Sequence, residues 1–261
     1  MRIATVGDNC IDVYENLGEA FPGGNPVNVA VYLVRLGEQA SYTGVVGNDK
    51  YGDVMIDSLN NKGVDTSHIK KVHGNTAITK VELVNGERVF GDYDEGVLAH
   101  FKLTQDDIDF LSTHDLVVTG LWGKIESDLW KIKANKVPIA FDFATKFDDP
   151  VVNIAISNVD YAFFAYDEEE SESLRSFMKE MHSKGPKMVV ITLGEKGSIC
   201  YDGKDFHRYG IVNCNVVDTM GAGDSYIAGF LRGIIMGKKI DECMRLGAEN
   251  SSVTLQYKGA W

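Results

Sequence analysis

Asp218-Thr219-Met220-Gly221-Ala222-Gly223-Asp224-Ser225 runs directly into the apolar, helix-like stretch Tyr226 to Met236. Small residues at a helix start leave backbone N–H groups bare, and together with the positive end of the helix dipole these attract an anion. The backbone of Gly221, Ala222, Gly223 and Asp224 is therefore predicted to cradle a phosphate. A carboxylate among such donors needs a reason to be there. One reason is that Asp224 takes the proton of a hydroxyl that attacks the phosphate. The plainer alternative is that Asp224 simply caps its own helix. Other nucleotide patterns fit worse. The Walker sequence is absent, and the third glycine of a dinucleotide fingerprint is replaced by Tyr226.

Outward from this motif, apolar β-branched runs alternate with helix-period segments. Ile3 to Val6, Ser41 to Val46, Leu116 to Thr119, Ile139 to Phe143, Tyr161 to Phe164 and Met188 to Thr192 read as buried strands. Pro26 to Leu36, Tyr51 to Lys62, Asp106 to Leu111, Glu168 to Ser183 and Ile240 to Tyr257 read as helices. This alternation predicts an α/β fold with a mainly parallel sheet covered on both faces. Two regions, about 10–21 and 75–93, break the rhythm with antiparallel patterning, and Asn85-Gly86 is a hairpin signal. A small sheet there would cover the strand ends where open α/β sheets bind ligands, as a lid. A decorative hairpin is the alternative.

The 261 residues, 44% hydrophobic and 25% charged, suit a single domain spanning 1–261. A net charge of -12 argues against nucleic acid or an anionic membrane as a partner. Cys10, Cys200, Cys214 and Cys243 are too far apart for a disulfide framework or a C-x-x-C pair, and the six histidines lack metal-ligand spacing. With a strand-like Met1 to Val6 in place of a leader and no apolar run of spanning length, the expectation is a cytoplasmic protein.

A second motif, Gly23-Gly24-Asn25-Pro26-Val27-Asn28-Val29-Ala30, opens a predicted helix. Gly23 and Gly24 let the backbone approach a ligand, and Pro26 suits a first helical turn. The Asn28 amide both donates to and accepts from hydroxyls. Asn25 reads as a helix cap. In this order the two motifs resemble the signatures of the ribokinase-like, or PfkB-type, carbohydrate kinases, and the resemblance covers essentially the whole chain. It implies a three-layer α/β/α domain with a β-sheet lid, and transfer of the ATP γ-phosphoryl group to a primary sugar hydroxyl.

Residue by residue, the resemblance makes Asp224 the base and Gly221, Ala222 and Gly223 the anion hole. Asp12, and beside it Asp8, would bond substrate hydroxyls with Gly23, Gly24 and Asn28. Thr192-Leu193-Gly194-Glu195-Lys196-Gly197-Ser198 looks like the nucleotide loop, with Thr192, Gly194, Glu195 and Gly197 against ATP and Gly221 and Gly223 at its phosphates. Mg²⁺ would bridge the phosphates. Where relatives carry Asn-x-x-Glu, this chain has Ala165-Tyr166-Asp167-Glu168. Only Glu168 is kept as a candidate metal residue, and Asp167 to Glu170 reads equally well as an acidic helix start. Some relatives hold K⁺ near the position of Asp218, and in some the lids of two subunits pair as a homodimer.

One branch, the fructoselysine 6-kinases and related fructosamine kinases, is the most similar. The shared stretches are Gly7-Asp8-Asn9-Cys10-Ile11-Asp12, Arg88 to Val97, Ile139 to Phe143 and Gly259-Ala260-Trp261. The expected substrate is a fructosamine phosphorylated at its 6-hydroxyl, with Arg88, Asp92 and Glu95 in the substrate region and Asp92, Asp94 and Glu95 facing the substrate's ammonium. Solubility of a lid edge explains the same carboxylates. A kinase of fructose, ribose or a nucleoside, and a sugar- or nucleotide-sensing module without turnover, are the alternatives. Arg88 as the sole obvious cation argues against a phosphorylated acceptor.

Overall fold

The structure, a computed structural model, describes residues 1–84 and 87–261, with the side chains of 83, 84 and 87–90 also outside the description. The strands are β1 (Arg2–Val6), β2 (Cys10–Tyr14), β3 (Glu19–Gly23), β4 (Gln39–Gly47), β5 (Asp65–Val72), β6 (Ile78–Val84), β7 (Glu87–Asp94), β8 (Leu116–Gly120), β9 (Ile139–Asp142), β10 (Tyr161–Ala165), β11 (Met188–Thr192), β12 (Ser198–Tyr201) and β13 (Phe206–Tyr209). The helices are α1 (Asn25–Arg35), α2 (Lys50–Asn61), α3 (Gln105–Leu111), α4 (Leu129–Ala134), α5 (Pro150–Ala155), α6 (Glu172–Ser183), α7 (Ala222–Ile235) and α8 (Ile240–Thr254). A nine-stranded sheet has the order β13-β12-β11-β10-β9-β8-β1-β4-β5. It is parallel from β5 to β11, and β12 and β13 close one edge as antiparallel neighbours.

Side chains of a strand alternate between faces, and here both faces are apolar because both are covered. Ile3, Leu116, Val118, Ala140, Phe163 and Val190 pack with residues of α1, α2, α7 and α8. The alternate positions Ala4, Val6, Val117, Ile139, Phe141 and Phe164 pack with α3, α4, α5 and α6. The expected three layers follow, with their cores on either side of the sheet.

The smaller sheet has the order β3-β2-β6-β7. Its strands lie within 10–23 and 78–94, and its topology differs from the antiparallel expectation. Each hairpin is antiparallel, whereas β2 and β6, one strand from each hairpin, pair in parallel. That pairing joins distant segments, which a local pattern does not report. The Asn85-Gly86 turn lies outside the described residues.

Other boundaries moved for local reasons. The helix expected from Glu168 begins at Glu172, because the Ser171 hydroxyl caps the Leu174 N–H at 3.2 Å; the acidic residues 167–170 precede it and do not form its first turn. The last helix ends at Thr254, short of Tyr257. Strand β5 has no signature in the sequence because it is a polar edge strand, Asp65-Thr66-Ser67-His68, with no apolar alternation at its start.

Candidate active site

Four segments meet at the carboxyl ends of the central strands, where a doubly covered parallel sheet opens to ligands. The chain leaves β1 through Gly7 to Asp8, β9 ends on Asp142, and α1 and α7 begin there with Asn25 and Asp224. The glycines of the two motifs permit the approach. Gly24 has φ +110, and a Cβ there would lie 2.7 Å from Asn9 Cα. Gly221 is the N-cap of α7 at φ 71, and a Cβ would lie 2.2 Å from the Tyr32 hydroxyl oxygen.

Asp224 does not cap its own helix. Its carboxylate accepts from Asn25 Nδ2 at Oδ1 and from Asn28 Nδ2 at Oδ2, both at 2.7 Å. The Asn25 amide also donates to Asp142 Oδ2 at 2.9 Å. Asn25 is thus no helix cap either: Gly24 holds the N-cap position, and the amide is spent on the two carboxylates. Of the expected bare donors at α7, the Ala222 N–H turns back to Thr219 O at 3.2 Å, while the N–H groups of Gly223 and Asp224 lie in the first turn, where helix geometry supplies no partner.

The electrostatics follow from crowding three acids into a site withdrawn from water. Burial pushes Asp224 up to about 6, against the lowering effect of the Asn28 and Asn25 donors. Burial, with the neighbouring Asp224 charge adding to it, pushes Asp142 up to about 7. Asp8 is also pushed up to about 7, chiefly by burial, and its Oδ1 has no hydrogen-bond partner. Asp224, the acid with two amide donors, is the first of the three to ionise. It remains partly open to solvent, so a hydroxyl can reach it.

Asp12, Gly23 and Asn28 gather beside this centre. Asp12 is buried on β2, and a Cβ on Gly23 would stand 3.2 Å from Asp12 Oδ2. Asn28 Oδ1 accepts from the Trp261 indole N–H at 2.8 Å. Asp218 accepts from Met220 N at 3.0 Å and Gly259 N at 2.7 Å, which ties the glycine turn to the chain's last residues. Thr192 ends β11, and Gly194 to Lys196 form a short turn before β12. Leu193, Lys196, Ser198, Tyr209 and Gly210 line an open cleft of about 380 Å³ next to that turn.

Two carboxylates of the acidic lid edge have partners within the protein. Glu95 is ion-paired with Lys124 at 2.5 Å and Asp94 Oδ1 accepts from Gly96 N at 2.9 Å, while Asp92 is exposed and has no ion pair among the described residues. The Arg88 side chain is outside the described residues. Glu168 accepts from the Tyr166 hydroxyl at 3.1 Å, and among the described residues no three His, Cys, Asp or Glu side chains gather to hold a metal. By themselves these side chains do not assemble a magnesium cage.

Sequence reasoning missed Asn25, Asp142 and Trp261 as site residues. Asp142 carried one usable signal, an acid closing a buried apolar strand. Asn25 and Trp261 carried none, since their partners lie far along the chain.

A doubly covered parallel sheet with a β-sheet lid, and a partly buried acid at a glycine-rich helix start, define a phosphotransferase. The pfkB family carbohydrate kinase model matches residues 5–261, and the chain belongs to that family of ATP-dependent sugar kinases. It is 45% identical over 259 residues to the fructoselysine 6-kinase of Shigella flexneri, covering 99% of each chain. It is 34% identical to a fructosamine kinase of Bacillus subtilis (strain 168), covering 100% of this chain and 93% of the other. The fold superimposes on ribokinase of Arabidopsis thaliana, solved with ribose and ATP, at a TM-score of 0.89 and 22% identity, covering 99% of this chain and 93% of that one. Among the described residues no helix is long and apolar enough to cross a membrane.

Proposed function

We propose that this chain transfers the ATP γ-phosphoryl group to the 6-hydroxyl of a fructosamine, with fructoselysine the first candidate. The observation that carries the chemistry is the Asp224 carboxylate, gripped at both oxygens by amide donors and open enough to meet a hydroxyl. Asp224 takes the hydroxyl proton as the oxygen attacks phosphorus. The first-turn N–H groups of α7 steady the charge on the transferring group, which is where positioned dipoles contribute most. Thr192, Gly194, Glu195 and Gly197 border the nucleotide, while Asp8, Asp12, Gly23, Gly24 and Asn28 form the sugar side. Magnesium supplies charge neutralisation on the phosphates when bound.

The acceptor class rests on the 45% identity, over nearly the full length of both chains, to a fructoselysine 6-kinase. Phosphorylation at O6 requires the furanose or open-chain form, because O6 closes the pyranose ring. The lid that covers the strand ends would limit ATP hydrolysis by excluding water, and the protein is assigned to the cytoplasm, where ATP is available. A panel of fructosamines and neutral sugars read by ADP release tests the assignment. A clear preference for fructoselysine supports it, and equal efficiency on fructose and fructoselysine leaves a general sugar kinase.

A further inference from the structure

Trp261 lies beyond both motifs, yet its indole N–H meets Asn28 Oδ1 at 2.8 Å while the same amide presents Nδ2 to Asp224 Oδ2 at 2.7 Å. We propose that Trp261 is a positioning residue for the catalytic base: its N–H locks the Asn28 amide in the one orientation that donates to Asp224. An indole N–H only donates. Were the amide turned over, its NH₂ would face that N–H and its oxygen would face a carboxylate, so both contacts would become repulsive. The inference rests on Asp224 as the base and holds for any sugar acceptor.

The strand of chain that carries Trp261 is held on both sides. Gly259 N donates to Asp218 in the glycine motif, and Ala260 O accepts from the hydroxyls of Tyr32 on α1, at 2.5 Å, and Tyr257, at 3.1 Å. The Lys62 ammonium lies 5.6 Å from the centroid of the Trp261 ring, within cation–π range. The indole is therefore fixed before substrate arrives. Asp8 beyond β1, Asp142 on β9 and Tyr32 on α1 are the titratable groups facing Asp224, and Arg35 and Lys62 are the nearby cations.

Trp261→Phe keeps a ring and removes the donor. With Trp122→Phe as an exposed control, ADP release is measured against pH, together with the KM for ATP. Loss of the lock frees the amide to turn, which removes a donor that lowers the Asp224 pKa. In Trp261→Phe the expected kcat loss is about tenfold, with the acid limb of kcat moved to higher pH and the ATP KM unchanged. An unmoved limb overturns the proposal even if kcat falls, since a purely structural contact would lower kcat without moving it. Asp224→Asn is run alongside. If it retains wild-type turnover, the base reading fails; if it is inactive and Trp261→Phe matches wild type, only this inference fails. Should Trp261→Phe not fold, the otherwise native protein carrying Trp122→Phe and Trp130→Phe leaves Trp261 as the sole tryptophan of three. Its emission is then expected to titrate with a midpoint near the Asp224 pKa of about 6, and to lose that transition in Asp224→Asn. Emission flat across that range overturns the proposal.

Discussion

Asp142 and Asp224 accept hydrogen bonds from one nitrogen, Asn25 Nδ2, at 2.9 and 2.7 Å. One amide thus holds together two acids that would otherwise repel. The consequence is a division of labour by environment: Asp224, with a second amide donor from Asn28, ionises first, and Asp142 keeps its proton to higher pH because burial, with the neighbouring Asp224 charge adding to it, disfavours its ionised form.

Asp224→Asn is expected to lower kcat by about 10²-fold or more, the usual worth of a positioned base, with ATP affinity retained. ADP-release kinetics with calorimetric ATP titration check it. Circular dichroism confirms that the fold is kept.

Activity is expected to fall on the acid side as Asp224 gains its proton at about 6. Asn25→Ala removes a donor that favours the ionised form, so its limb should move to higher pH. A kcat profile from pH 5 to 8 for both proteins measures the displacement.

Asp142 is expected to cost stability as pH rises. Its folded pKa, about 7, lies above the ordinary aspartate value of 3.8, so the folded state binds the extra proton between those values. Its contribution is complete below about pH 4 and is lost as pH rises through about 7. Asp142→Asn, neutral at every pH, should therefore raise Tm at pH 8 relative to wild type and change it far less at pH 5. Thermal unfolding at the two pH values decides the sign.

Asp12→Ala is expected to raise the sugar KM and spare ATP binding, because Asp12 sits on the lid strand β2 and not on the proposed nucleotide loop after β11. Paired calorimetric titrations separate the two. Loss of ATP affinity with sugar affinity intact would reverse the division of the site.

Glu95→Gln is expected to leave the ratio of kcat/KM for fructoselysine and fructose within about twofold, since Lys124 already balances that half-exposed charge. Asp92→Asn is the informative neutralisation at the lid edge. A large fall in the ratio with Glu95→Gln would show that substrate displaces Lys124.

Much of this protein is legible in its sequence because the relevant signals are local. The alternation of β-branched runs with helix-period segments sets the layered α/β class. Glycines before Asp224 mark the helix start, since at φ 71 with a Cβ 2.2 Å from the Tyr32 hydroxyl oxygen position 221 admits only glycine. Tertiary structure alone decided the partners. Whether Asn25 caps α1 or bridges Asp142 and Asp224, whether Glu95 faces a ligand or Lys124, whether β2 pairs with β6 in parallel, and where the Trp261 indole points all depend on groups far apart in the chain. A hydrogen bond is set by distance and direction in space, and packing the α-helices onto both faces of one sheet is what brings those atoms within 3 Å or so of each other.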